Sequence, residues 1–283
     1  MNVMNTLMPL KYYIADYADH KSRILIKREL PQNEYVALMK ESLVLTIFRD
    51  CYSVKEMLLE SKDDILYYFS TLSTKVVPPD DSIVAPCLIT ANKLLMNYLS
   101  FLKTFLDVVS NSISKIHSEE LPAFQEYDSK LYDDLFGYRF LKRLRNYAIH
   151  REMPLKHIEV SSKNGIQITC KRSTLLEFDR WSTVRNEILE LTDTIDIMPY
   201  IEDSKIAVFK LYVRALRILE GDMCSLKLHF EKLYSGIKAE FPIIIKTGKT
   251  IHEVAVETLP VYYLDLFFSE LNLYSIYGEN DSQ

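Results

Sequence analysis

The stretch APCLITANKLLMNYLSFLKTFLDVVSNSISKIH, Ala85 to His117, runs without Gly or Pro beyond its first turn, and its Leu, Met, Tyr and Phe residues recur at spacings of three and four. That pattern predicts one helix about 50 Å long. Leu, Lys, Glu and Tyr are plentiful in the rest of the chain as well, so it is expected to be mainly α. Six glycines in 283 residues agree, because tight turns and phosphate-cradling loops need more.

The remaining pattern fills in around this helix. Before it, YYIADY and RILIKREL suit a hairpin, and YVALMKESLVLTIFRD with SVKEMLLESKDDILYYFSTL suits two helices up to about Leu72. STKVVPPDDS then marks a boundary, since Val77 and Pro78 each precede a proline. After it, a helix is expected from about Pro122 to Arg151, stopped by Pro154. A hairpin follows in HIEVSSKNGIQITCKR with its Asn164-Gly165 turn. Further helices are expected from a Ser173/Thr174–Glu177 capping box to Ile195, and from Asp203 to Phe241. PIIIKTG and TIHEVAVETL suit a second hairpin, and VYYLDLFFSELNLY a closing helix. Three divisions result: an N-terminal hairpin and helices over 1–80 with no function assigned, a helical bundle with a β-hairpin insertion over 84–240, and a C-terminal hairpin and helix over 241–283 packed on the bundle.

Several chemistries are excluded. KTGKT at Lys246 to Thr250 has Ile243 where a phosphate-binding loop requires glycine. No His or Cys pair sits at zinc-site spacing on a plausible scaffold, there is no G-x-S-x-G, and paired acids such as Asp63-Asp64 and Asp133-Asp134 are those expected on solvated faces. No metal or cofactor is expected. Cys51, Cys87, Cys170 and Cys224 lie far apart, the start of the chain lacks a signal-peptide pattern, and the apolar runs are cut by charges before about 18 residues. A cytoplasmic protein with reduced thiols and no membrane span is the expectation.

One segment stands apart. Arg139 to His157 holds six Lys or Arg against Glu152 alone, a local formal charge of +5 in a chain of net −5. On a helical wheel, Phe136, Gly137, Phe140, Leu141, Leu144, Tyr147 and Ala148 form the buried arc. Arg139, Arg143, Asn146 and His150 form a stripe opposite, and Arg145 lies at the apolar edge. His150 falls in the last turn, where unpaired carbonyls attract positive charge. A histidine that shuttles a proton, beside arginines that fork onto phosphate oxygens, suits metal-free cleavage of RNA. A solvated basic helix end is the plainer reading of the same letters, and mononucleotide binding by this face is a third.

Arg145-Asn146-Tyr147-Ala148-Ile149-His150 resembles the signature of the HEPN superfamily, in which an arginine, commonly followed by a polar residue, precedes a histidine by four to six positions near the end of a long bundle helix. The resemblance covers about Ala85 to Ala239. It implies a four-helix bundle and a metal-independent endoribonuclease that acts as a homodimer, with two motifs facing one cleft. His150 would be the general acid/base, Arg145 would stabilise the phosphorane, and Asn146 would orient either of them. Arg139, Arg143 and Arg151 are added from the wheel as substrate-phosphate contacts. The family suggests a toxin-like or phage-defence role, with an antitoxin or defence partner; Glu152 stands where one toxin subgroup carries a modified tyrosine. The alternative within the same fold is a non-catalytic scaffold for RNA or protein.

Overall fold

The computed structural model describes residues 11–18, 23–74, 81–161, 165–235, 242–247, 254–258 and 261–278. In chain order its elements are β1 (Tyr12–Ala18), β2 (Arg23–Leu30), α1 (Gln32–Glu41), α2 (Leu43–Ser73), α3 (Asp81–Ile116), α4 (Leu121–Asp134), α5 (Phe136–His150), β3 (His157–Ser161) and β4 (Gly165–Lys171). Then come α6 (Arg172–Leu176), α7 (Val184–Glu190), β5 (Thr194–Ile195), α8 (Met198–Tyr234), β6 (Pro242–Thr247), β7 (Val254–Thr258) and α9 (Val261–Gly278). The described residues are thus mainly helical, with two antiparallel sheets among them. Among the described residues, no helix is long and apolar enough to cross a membrane.

These elements form two compact units, one of residues 1–49 with 219–283 and the other of 50–218. The divisions expected near residues 80 and 241 therefore do not bound the units. Sequence places breaks where the local pattern changes, whereas α2 and α8 are each divided between the units within an unbroken helical run.

In the first unit, the two terminal hairpins join into one sheet of order β2-β1-β6-β7. β1 pairs with β6 from Tyr12↔Lys246 to Asp16↔Pro242, and Ala15, Ile243 and Ile245 pack as a small core. Tyr12 stacks on Tyr35 of α1 with ring centroids 3.7 Å apart, and Phe267 of α9 meets Phe48 edge-on at 5.2 Å.

In the second unit, α3 is the expected long helix, with Pro86 in its first turns. Leu95, Tyr98, Leu102 and Phe105 are buried along one stripe, and Tyr98 Oη meets Ser204 Oγ of α8 at 2.6 Å. The helix expected over 122–151 is broken at Leu135, whose φ of −113° and ψ of 101° are extended. The break is held from the far side: Arg139 Nη1 donates to the carbonyls of Tyr132 and Asp133 at 2.6 Å each, satisfying acceptors that the end of α4 leaves open.

The helix expected from Ser173 to Ile195 is replaced by α6, α7 and β5. Ser182 adopts φ 56°, which no right-handed helix accommodates. Trp181 is fully buried, its indole N–H donating to Leu175 O at 2.6 Å and its ring stacking on Phe140 and Tyr147. Burial of this one large side chain turns the backbone. The capping box does not form, because α6 begins after Lys171 and Glu177 lies at its other end, where it pairs with Arg151. The β3–β4 hairpin is present; Gly165 has φ 62°, while Asn164 lies outside the described residues.

Candidate cleft on helix α5

Helix α5 forms as its wheel requires. Gly137, Phe140, Leu141, Leu144, Tyr147 and Ala148 are buried, while Phe136, expected beside them, is only half-buried. Tyr138, on the polar side, is fully buried because α4 covers it. Its hydroxyl donates to Asp128 Oδ1 at 2.5 Å, and burial pushes its pKa far up. Gly137 lets α5 cross α8 closely, since a methyl there would fall 2.6 Å from Asp203 Cβ and 2.8 Å from Tyr200 Cα.

The C-terminal end of α5 is anchored by a residue that the motif does not include. Asn92 of α3, nearly buried, accepts from Leu155 N at 3.1 Å and donates to Leu155 O at 2.7 Å. This two-way clamp fixes the segment after Pro154 on α3. Tyr147 is core, as its arc predicts, and its hydroxyl donates to Glu152 Oε1 at 2.8 Å. The Lys156 ammonium and then the Tyr147 hydroxyl hold the Glu152 carboxyl below the usual range.

A cleft of about 220 Å³ opens between the polar face of α5 and the flanking helices. Arg143, Arg145 and Asn146 line it together with Lys142, Lys103 of α3 and Tyr132 of α4, over a floor of leucines. Among the described residues, no carboxylate lines it. Three of the four cations are engaged nearby. Lys142 lies 3.2 Å from Asp128 Oδ2 and over the Tyr132 and Tyr138 rings, Lys103 pairs with Asp107 one turn away, and Arg143 Nε donates to Tyr132 Oη at 3.0 Å.

Arg145 differs. Its Nε is buried without an acceptor, and among the described residues the side chain makes no ion pair. A buried donor left unpaired costs about 1–3 kcal/mol, so a native protein keeps one where something else supplies the acceptor. His150 is exposed at the end of α5, on the same stripe as Asn146 one turn on, and does not line the cleft.

No protein-family profile, curated protein or solved structure matches the chain.

The three arginines expected to hold substrate phosphate separate in the structure. Arg143 lines the cleft, but Arg139 does not. Its guanidinium grips the Glu187 carboxylate of α7 through Nε at 2.9 Å and through Nη2, besides capping α4, so it ties α5 to α7 and α4. Arg151 is exposed and pairs with Glu177 at 3.0 Å, also away from the cleft. Sequence reading misses Lys103 because it comes from another helix. Lys142 was within reach, since it precedes Asn146 by one turn.

Proposed function

We propose that this chain is a metal-independent endoribonuclease of the HEPN type, with the helices of the second unit as its bundle and Arg145, Asn146 and His150 as its catalytic residues. The observation that carries the reading is the unpaired, buried Nε of Arg145 beside Asn146 in a cation-lined cleft, on the helix that ends at an exposed His150. In the reaction, a ribose 2′-oxygen attacks the adjacent phosphorus and the phosphorus–O5′ bond breaks. Products are a 2′,3′-cyclic phosphate and a 5′-hydroxyl. One imidazole removes the 2′-hydroxyl proton and an imidazolium protonates the departing oxygen, while Arg145 neutralises charge on the pentacoordinate phosphorane. DNA lacks the 2′-hydroxyl and is inert.

The helix geometry supports a homodimer. α5 is unbroken from Phe136 to His150, so Arg145 and His150 are about 140° apart around its axis and about 7.5 Å apart along it. Two copies of α5 facing one another bring an arginine from each and a histidine from each to a shared phosphate, which one copy does not. A toxin-like or defence role in the cytoplasm, with an antitoxin or defence protein as partner, follows from the family reading alone.

Purified protein is expected to cleave single-stranded RNA in EDTA, with Arg145→Ala and His150→Ala each lowering the rate at least 1,000-fold while leaving the circular dichroism and unfolding midpoint in place. Full activity in both variants sinks the reading. RNA binding without cleavage by the wild type establishes the non-catalytic scaffold instead.

A further inference from the structure

The unit of residues 50–218 carries a second groove, of about 490 Å³, between α3 and the segment that follows α5. Leu88, Ile89, Lys93 and Met96, spaced as one helix face, form one wall, and Met153 and Lys156 stand opposite. Ile89 is 70% exposed and Met153 44%, so the fold leaves this apolar surface in water. Asn92, the neutral polar residue of the lining, offers the groove nothing. Its amide donates both hydrogens, to Leu88 O at 3.0 Å and Leu155 O at 2.7 Å, and its Oδ1 accepts from Leu155 N. The same bonds hold the two walls together, so the groove is preformed and loses little freedom when filled. Its charges differ in state. Lys156 is paired with Glu152, whereas Lys93 makes no ion pair among the described residues, and no carboxylate lines the groove among them.

We propose that this groove docks one amphipathic helix of a protein partner, with apolar side chains against Ile89, Met96 and Met153 and a carboxylate facing Lys93. Such docking is independent of the ribonuclease reading, since none of these residues lines the Arg145 cleft. A chain that enters a surface without hydrogen-bonding groups must satisfy its own backbone, which a helix does and an extended peptide does not. The α3 wall from Leu88 to Met96 is about 12 Å long, a little over two helical turns. The matching face therefore carries apolar residues at i, i+4 and i+7. Methionine on both walls adapts to such a stripe without dictating its exact side chains. The uncompensated Lys93 favours acidic residues beside the stripe and disfavours basic ones. An anionic membrane would instead call for a run of cations around the apolar surface.

The test uses the full chain and a fluorescein-labelled helical peptide of about 15 residues, with leucine at i, i+4 and i+7 and glutamate on both flanks. In anisotropy titrations the peptide is expected to bind, and the same peptide with lysine for glutamate to bind about tenfold more weakly. Ile89→Asp, at an exposed position, is expected to weaken the glutamate peptide about tenfold or more, while Ile206→Asp, at an exposed position of α8 outside the groove, leaves it unchanged. Lys93→Glu is expected to weaken the glutamate peptide about fivefold and to strengthen the lysine peptide. With methyl-labelled methionine, the Met96 and Met153 signals are expected to shift on peptide addition and that of Met57, exposed on α2, to stay. No binding, equal binding of the two peptides, or affinity unaffected by Ile89→Asp overturns the docking site. Two further outcomes also overturn it: phosphatidylserine vesicles that bind through Ile89 when the peptide does not, and a wild-type dimer that Ile89→Asp dissociates, which gives the groove to a second copy.

Discussion

At the scale of single residues, the basic segment holds two arginines with opposite energetic roles. Arg139 is 13% exposed and satisfies Glu187 and two backbone carbonyls, so its removal leaves several groups unpaired at once. Arg139→Ala is expected to destabilise the protein by about 2–3 kcal/mol in urea unfolding. Arg145 buries an unsatisfied donor, so Arg145→Met, which keeps the apolar stem, is expected to stabilise by about 1 kcal/mol. A loss of stability in Arg145→Met shows that the arginine is held by the fold and removes the reason for a ligand there. Neither role is legible in the letters, because Glu187 and the α4 carbonyls meet Arg139 only through packing.

At the scale of elements, α5 depends on how closely it crosses α8. Gly137→Ala raises helix propensity, yet the new methyl meets the Tyr200 backbone at 2.8 Å. The collision is expected to win, lowering stability by about 1–3 kcal/mol in thermal unfolding, where propensity alone predicts a gain. The same crossing shows where periodicity succeeds and fails. It locates α3 and the buried arc of α5, since both follow from one stripe facing one core. It misses the break at Leu135 and the division of 173–195, because those are set by Arg139 reaching back to α4 and by Trp181 filling the space beside Phe140 and Tyr147.

For the molecule as a whole, the unit of residues 50–218 is sensitive to alkali. Burial raises the Cys51 thiol from 9.0 to about 11, opposed by the Ser112 hydroxyl, and raises Cys170 from 9.0 to about 12; it raises the Tyr98 phenol from 10.0 to about 12. The unfolded chain loses these protons first, so stability is intact below pH 9 and falls as pH rises from there toward 11–12. Each group contributes a loss of about 1.4 kcal/mol per pH unit in that window. Trp181, the sole tryptophan, is buried in this unit, so its fluorescence reports the transition. The urea midpoint is expected to drop steadily above pH 9, with a shallower slope in Cys51→Ala. A midpoint flat to pH 11 contradicts the burial of these groups.

By itself, the amino-acid sequence determined the mainly helical class, the length of α3, the three hairpins and the concentration of basic residues on α5. Each is a local property, carried by periodicity, turn chemistry or charge within a few turns of chain. The tertiary structure alone decided that the terminal hairpins share one sheet, that Arg139 and Arg151 are tied to Glu187 and Glu177, and that Lys103 joins Arg143, Arg145 and Asn146 at one cleft. Those outcomes depend on which side chains meet across distant segments, where packing and the pairing of buried polar groups choose among partners that local pattern leaves equivalent.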